Sequence, residues 1–194
     1  CADYEQVFSR TSKNSELYQI NQIEALYLTV VEQAMDLKDS FTKKRSYTKE
    51  QCESIVKQIE QKKTKENTVK YSIRQDGSIT FEISALLERI VKKGLEYSKK
   101  SDGRFDIAIE PVSSLWDFTV KKPTVPDEQK IEKALAYVDY QKIALDDQKL
   151  TFQMPGMGID LGGIAKGFIA DELKAYLEKK GVKSAVIDLG GNVL

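Results

Sequence analysis

The sequence predicts an α+β fold, on three observations. Helical and period-two stretches are mixed along the chain instead of alternating strand by helix, which argues against a doubly wound parallel sheet. Two hairpin signals stand out: Asp76-Gly77 between alternating apolar stretches, and Asp146-Asp147-Gln148 between KIAL and KLTFQM. Several helices carry their own start and stop residues.

Taken in order, residues 2–8 read as the tail of a helix. A cluster of Ser9, Thr11, Ser12, Asn14 and Ser15 then marks a turn, with Asn14 or Ser15 as cap for a helix over 16–38. Thr48-Lys-Glu-Gln51 is a capping box. Behind it Cys52, Ile55, Val56 and Ile59 recur at helical spacing, so the Lys, Glu and Gln of the other face are a solvated surface. Val69, Tyr71 and Ile73 alternate into the DG turn, and Ile79, Phe81 and Ile83 alternate out of it. Ser84 caps a helix running to about Lys100. An SDG turn leads into FDIAI, read as a short strand, and Pro111 opens a helical turn. Pro126 begins another helix. Ile159-Asp160 closes a strand whose glycines open a helix ending at Gly181. VKSAVIDLGGN is read as a strand plus a glycine turn.

Composition excludes several chemistries. The 194 residues include two Cys and no His. An imidazole base, a Ser-His-Asp triad and a four-thiolate metal site are therefore outside this sequence. Thirty Lys+Arg balance thirty Asp+Glu, which argues against a nucleic-acid footprint. Cys52 reads as a small buried hydrophobe. Cys1 reads either as the lipidated residue of a bacterial lipoprotein or as a cut end.

Chemistry concentrates in Met157-Gly-Ile-Asp160-Leu-Gly-Gly-Ile-Ala-Lys166-Gly. Two glycines permit close approach of the backbone or positive φ. The helix start offers unpaired N–H groups and a positive dipole end, and a Lys in the first turn fits an anion there, phosphate or pyrophosphate. The alternative is a turn that only needs small residues, with Lys166 in water. Asp102-Gly-Arg104-Phe105-Asp106 reads either as a tight turn with a capping Asp or as a loop presenting a carboxylate and a ring to a ligand. Asp188-Leu-Gly-Gly repeats the first glycine motif, as a second anion-facing turn or a plain strand end.

Jointly, FSRT…SELYQIN, DGRFDIAIEPVSSLWDF, IDLGGIAKGFIADELKAYL and VIDLGGN resemble the FAD:protein FMN transferases, the ApbE family, in order and approximate spacing. The resemblance reaches both ends of the chain, while residues 22–78 match poorly and read as an insertion of helix plus hairpin in one domain, 1–194. It implies an Mg²⁺-dependent enzyme that splits FAD, joins FMN through a phosphoester to a Thr of an acceptor flavoprotein and releases AMP. Alternatives are an FAD pyrophosphatase giving FMN and AMP, or a non-catalytic flavin- or nucleotide-binding module.

By the same resemblance, Asp160 and Lys166 contact FAD and the Gly163 carbonyl is a magnesium ligand. Arg104, Phe105 and Asp106 fall in a strand lining the flavin pocket. Thr11 stands where many members have a Tyr near the ring. A family strand before Cys1 and a His-containing half after Leu194 lie outside these residues, so the sequence reads as a fragment of a cell-envelope protein. Alone it is expected to be inactive, weak for Mg²⁺ and prone to self-association through uncovered apolar surface.

Overall fold

The computed structural model describes residues 2–35, 46–116, 124–191 and 193–194. Cys1, the expected helix end at 36–38, the second half of the LWDF stretch and Asn192 lie outside them.

Helix α1 (Ala2–Phe8) turns into α2 (Glu16–Met35) through the serine-rich loop. Ser15 is the cap: its buried hydroxyl accepts the Tyr18 N–H at 3.1 Å and donates to the Ser9 carbonyl. Leu17, Ile20, Ile23, Tyr27, Val30 and Val31 form one fully buried stripe along α2. Helix α3 (Lys49–Lys62) starts on the capping box. The Thr48 hydroxyl accepts the Gln51 N–H at 3.2 Å, and the Gln51 side chain accepts the Thr48 N–H at 2.8 Å. Cys52, Ile55 and Ile59 point inward from α3, and Cys52 is a buried free thiol.

Strands β1 (Tyr71–Ile73), β2 (Ile79–Glu82), β3 (Ile143–Asp146) and β4 (Lys149–Phe152) form an antiparallel sheet in the order β1-β2-β4-β3. In the first hairpin Gly77 takes φ 81°, which a side chain would resist. In the second, Asp147 and Gln148 both have positive φ, the mark of a turn that matches strand twist. Register places Ile79 opposite Phe152 and Phe81 opposite Leu150, all four fully buried. On the other face the Thr80 and Thr151 hydroxyls meet at 2.9 Å.

Helix α4 (Ala85–Lys100) begins at Ser84, whose N–H and hydroxyl both donate to the Glu16 carboxylate at 2.6 Å. This bond fixes the start of α4 to the start of α2. Helices α5 (Glu110–Ser113), α6 (Glu128–Leu135) and α7 (Gly162–Lys179) follow. α7 ends as expected at Gly181, φ 83°, with the Val182 N–H returning to the Leu177 carbonyl. Within the stretch expected as an insertion, 22–78, the described residues Tyr27, Val30, Val31, Ile55 and Ile59 pack in the same cluster as Phe81, Ile90 and Leu150. Among the described residues no helix is long and apolar enough to cross a membrane.

Three expected strands are absent among the described residues, two of them for a visible reason. FDIAI is a 3₁₀ turn over Ile107–Ile109, because Asp106 accepts the Ala108 N–H at 2.7 Å. Ile107 and Ala108 are both buried, which strand alternation forbids on a one-sided sheet. The segment before α7 joins no strand, and its backbone pairs with a side chain instead. Asn21 accepts the Ile159 N–H at 3.0 Å and donates to the Ile159 carbonyl at 2.9 Å. The closing segment holds a single bridge, Asp188 to Val193, around the positive-φ pair Gly190 and Gly191.

Candidate functional site

The α7 start is fixed by Asp160. Its Oδ1 accepts the Gly162 N–H at 2.9 Å, closing the first turn of the helix. Its Oδ2 accepts from Arg10 at 2.8 Å and from the Ser113 hydroxyl at 2.7 Å. Arg10 also donates to the Ser113 oxygen. One carboxylate thus ties together the α1–α2 loop, α5 and α7. The ion pair is mostly shielded, with side-chain exposures of 28% for Arg10 and 19% for Asp160. The Asp160 N–H donates to the Ile107 carbonyl at 2.9 Å, joining the two glycine-containing blocks of sequence.

Beyond this clamp lies the first turn itself. The Ile164 and Ala165 N–H groups return to the Leu161 carbonyl. The Gly163 N–H has no hydrogen-bond partner among the described residues, as expected for a first-turn amide. Gly163 is required by close approach, not by positive φ: a Cβ there would stand 2.9 Å from Cε2 of Phe105. The DGRFD and DLGG blocks therefore meet ring against backbone.

Both line a cleft of about 1030 Å³ between α4 and α7, with Arg89, Lys93, Lys100, Lys166 and Phe168 around it. Three of its cations are already engaged, while Lys92, exposed at its edge, has no ion pair among the described residues. Arg89 pairs with Glu172 and lies 5.5 Å over the Phe168 ring. Lys93 and Lys100 both pair with Glu96. Lys166 has no ion-pair partner among the described residues, and its ammonium lies 3.8 Å from where a Gly190 Cβ would be. The second DLGG turn thus comes back beside the cation of the first. Asp188 there accepts the Gly191 N–H at 3.0 Å and shapes that turn. Lys166 is the fifth residue of α7, one turn further in than its expected place.

Glu110 sits on the far side of the Asp160 clamp. Burial pushes its carboxyl pKa up to about 7; Arg10 opposes that and Asp160 adds to it. Glu24 is more deeply buried and is raised for the same reason. One of its oxygens accepts the Gly156 N–H at 3.1 Å and the other has no partner among the described residues, as a protonated carboxyl would tolerate.

The residues singled out in the sequence separate into two groups. Phe105, Gly163 and Lys166 line the cleft. Asp160 is beside it, with its oxygens turned to the clamp. Asp106 spends both oxygens on backbone, on Ala108 and on the Tyr140 N–H at 3.0 Å, so its geometry is that of a cap. Arg104 is exposed, and Thr11 is exposed in the loop one residue from Arg10. For Mg²⁺, no cluster of three acidic or sulfur side chains occurs among the described residues. The Gly163 carbonyl, in the first turn of α7, is by itself no octahedral oxygen site.

Sequence reading missed Arg10, Ser113 and Glu110. Arg10 stood inside the quoted FSRT block and Glu110 preceded Pro111, but a salt bridge spanning 150 positions leaves no local pattern.

The fold is shared with known proteins. The sequence profile of the ApbE family matches residues 28–194, and the chain belongs to that family. It is 43% identical over 94 residues to an FAD:protein FMN transferase of Klebsiella pneumoniae (47% of this chain, 30% of the relative). It is 31% identical over 126 residues to one of Treponema pallidum (61% and 35%). Among solved structures, the flavin transferase ApbE of Vibrio cholerae superposes with a TM-score of 0.64 at 18% identity, over 99% of this chain and 46% of that one. The ApbE protein of Thermotoga maritima gives 0.52 at 25% identity, over 87% and 50%. The chain spans between about a third and a half of the curated relatives it matches and about half of the solved structures.

Proposed function

We propose that this chain supplies the flavin-nucleotide face of an FAD:protein FMN transferase. The observation that carries the reading is the cleft at the α7 start. There an unpartnered Gly163 N–H, an unpaired Lys166 and the Phe105 ring converge, in a family whose curated relatives bear that name. The ring offers an apolar surface to a flavin or purine, and the amide and ammonium offer charge-complementary donors to a phosphate. Asp160 acts on this face through the turn it caps.

The proposed reaction is phosphoryl transfer. A Thr hydroxyl of the acceptor attacks the FMN phosphorus, the pyrophosphate P–O bond breaks, and AMP departs with the bridging oxygen while the hydroxyl proton is lost. Such transfers depend on charge neutralisation and in-line positioning. Lys166 and the α7 start neutralise charge in this reading. For the Mg²⁺ expected from the resemblance, the Gly163 carbonyl would be one donor, and bound there the ion would supply further charge neutralisation to the phosphate.

The test uses the full-length gene product with FAD, Mg²⁺ and a Thr-containing acceptor protein. Transfer gives an acceptor band that keeps flavin fluorescence after denaturation, together with AMP. Free FMN with AMP and no labelled acceptor assigns a pyrophosphatase instead. FAD recovered intact overturns both enzymatic readings.

A further inference from the structure

We propose that Arg10 is a positioning residue: through Ser113 and Asp160 it sets the start of α7, and with it Gly163 and the Phe105 ring that line the cleft. The effect of Arg10 on ligand affinity rests on the flavin-nucleotide reading above, while its effect on the α7 start does not.

The chain of contacts is continuous. Arg10 reaches across 150 positions to Oδ2 of Asp160, and Ser113 on α5 holds the same oxygen. The other oxygen of that carboxylate holds the Gly162 N–H. Gly163 is the next residue and lies against Phe105. Leu161, the residue preceding α7, makes no side-chain cap of its own, so the Asp160 carboxylate is the polar side chain fixing this turn. Without Arg10, Asp160 keeps Ser113 but loses its charge partner in a mostly shielded site.

The same guanidinium faces a second carboxylate. Glu110 is crowded against Gly158, where a Cβ would stand 3.1 Å from that of Glu110. The groups around Glu110 are Arg10 from the α1–α2 loop, Asp160 from the segment before α7, Glu32 from α2, and Lys130, Lys133 and Tyr137 from α6 and the residues just after it. Arg10 lowers the Glu110 pKa and Asp160 raises it. The two substitutions therefore move one titration in opposite directions, which general loosening of the fold does not do.

The experiment compares the native chain with Arg10→Met, Arg10→Lys and Asp160→Asn. Amide exchange at Gly162 and the carboxyl titration of Glu110 are followed by NMR, and FAD affinity by fluorescence. Arg10→Met is expected to speed Gly162 exchange roughly tenfold, the usual weight of a hydrogen bond to a charged group. It is also expected to move the Glu110 midpoint up from about 7. Asp160→Asn moves that midpoint down, and Arg10→Lys restores most of the native exchange. FAD affinity falls roughly tenfold in Arg10→Met and recovers in Arg10→Lys. Unchanged Gly162 exchange in a folded Arg10→Met protein overturns the positioning role. Changed exchange with no FAD binding by any form, native included, leaves the positioning role standing and overturns the flavin reading.

Discussion

Replacing Gly163 by Ala, with Gly167→Ala as its control, separates the demands of the helix from those of the site. Both glycines lie in α7, and Ala is about 1 kcal/mol better than Gly in a helix interior. At Gly167 a Cβ meets nothing within 4 Å, so that gain is unopposed. For a chain of this size about 1 kcal/mol raises Tm by roughly 2–4 °C. At Gly163 the new methyl stands 2.9 Å from the Phe105 ring and 3.7 Å from its Cζ, so the ring must swing away. Forced repacking of this kind costs about 1–3 kcal/mol, with the lower end fitting a half-buried ring that borders open cleft. Gly163→Ala is thus expected at least about 1 kcal/mol below Gly167→Ala. Urea denaturation followed by circular dichroism measures both, with equal m-values confirming that the comparison is of native states. Equal stabilisation by the two substitutions would refute the claim that Gly163 is small because Phe105 lies against it.

Three further outcomes follow from the same geometry. Gly94→Ala on α4 drives a methyl to 2.7 Å from Cγ2 of the fully buried Ile107, so it is expected to destabilise by roughly 1–2 kcal/mol despite better helix propensity, read by the same denaturation. Glu110 holds its proton in the folded state up to about 7, against 4.5 when exposed, so its contribution to stability is full below pH 4.5 and is lost as pH rises to about 7. Glu110→Gln removes that slope, by at most about 3 kcal/mol over the interval; a native minus variant difference that stays flat from pH 4.5 to 8 contradicts the burial argument. Lys166→Ala is expected to change stability by under about 0.5 kcal/mol, since the side chain is exposed and unpaired. Its FAD dissociation constant rises by roughly tenfold in fluorescence titration.

Local elements were legible where the signal was local. The Thr48–Gln51 box, the helical stripe behind it and the Asp76-Gly77 turn require only residues a few positions apart, and each is realised. The errors lie where distant side chains replaced backbone partners. Ile159 reads as strand because it is apolar and follows glycine, but its N–H and carbonyl are both taken by the Asn21 amide, 138 positions away. Phe105, Ile107 and Ile109 alternate over too few residues to define a strand, and a short-range cap from Asp106 outweighs the alternation. The glycine-rich start of α7 was readable as a candidate site because glycines, helix start and lysine fall within five positions. The Arg10–Ser113–Asp160 clamp that fixes it is assembled from three separate segments, and Asp160 alone among its members carried a sequence signal.

The central claim is that phosphate and ring recognition converge at the α7 start. Titrating this chain with FAD, FMN, AMP and riboflavin, with ring fluorescence and the Gly163 amide chemical shift as readouts, tests it directly. The account predicts saturable binding of FAD and FMN, a shift of the Gly163 amide with both, and much weaker binding of riboflavin, which lacks phosphate. Riboflavin binding as tightly as FAD, or a Gly163 amide that does not respond to any phosphate-bearing ligand, would contradict it.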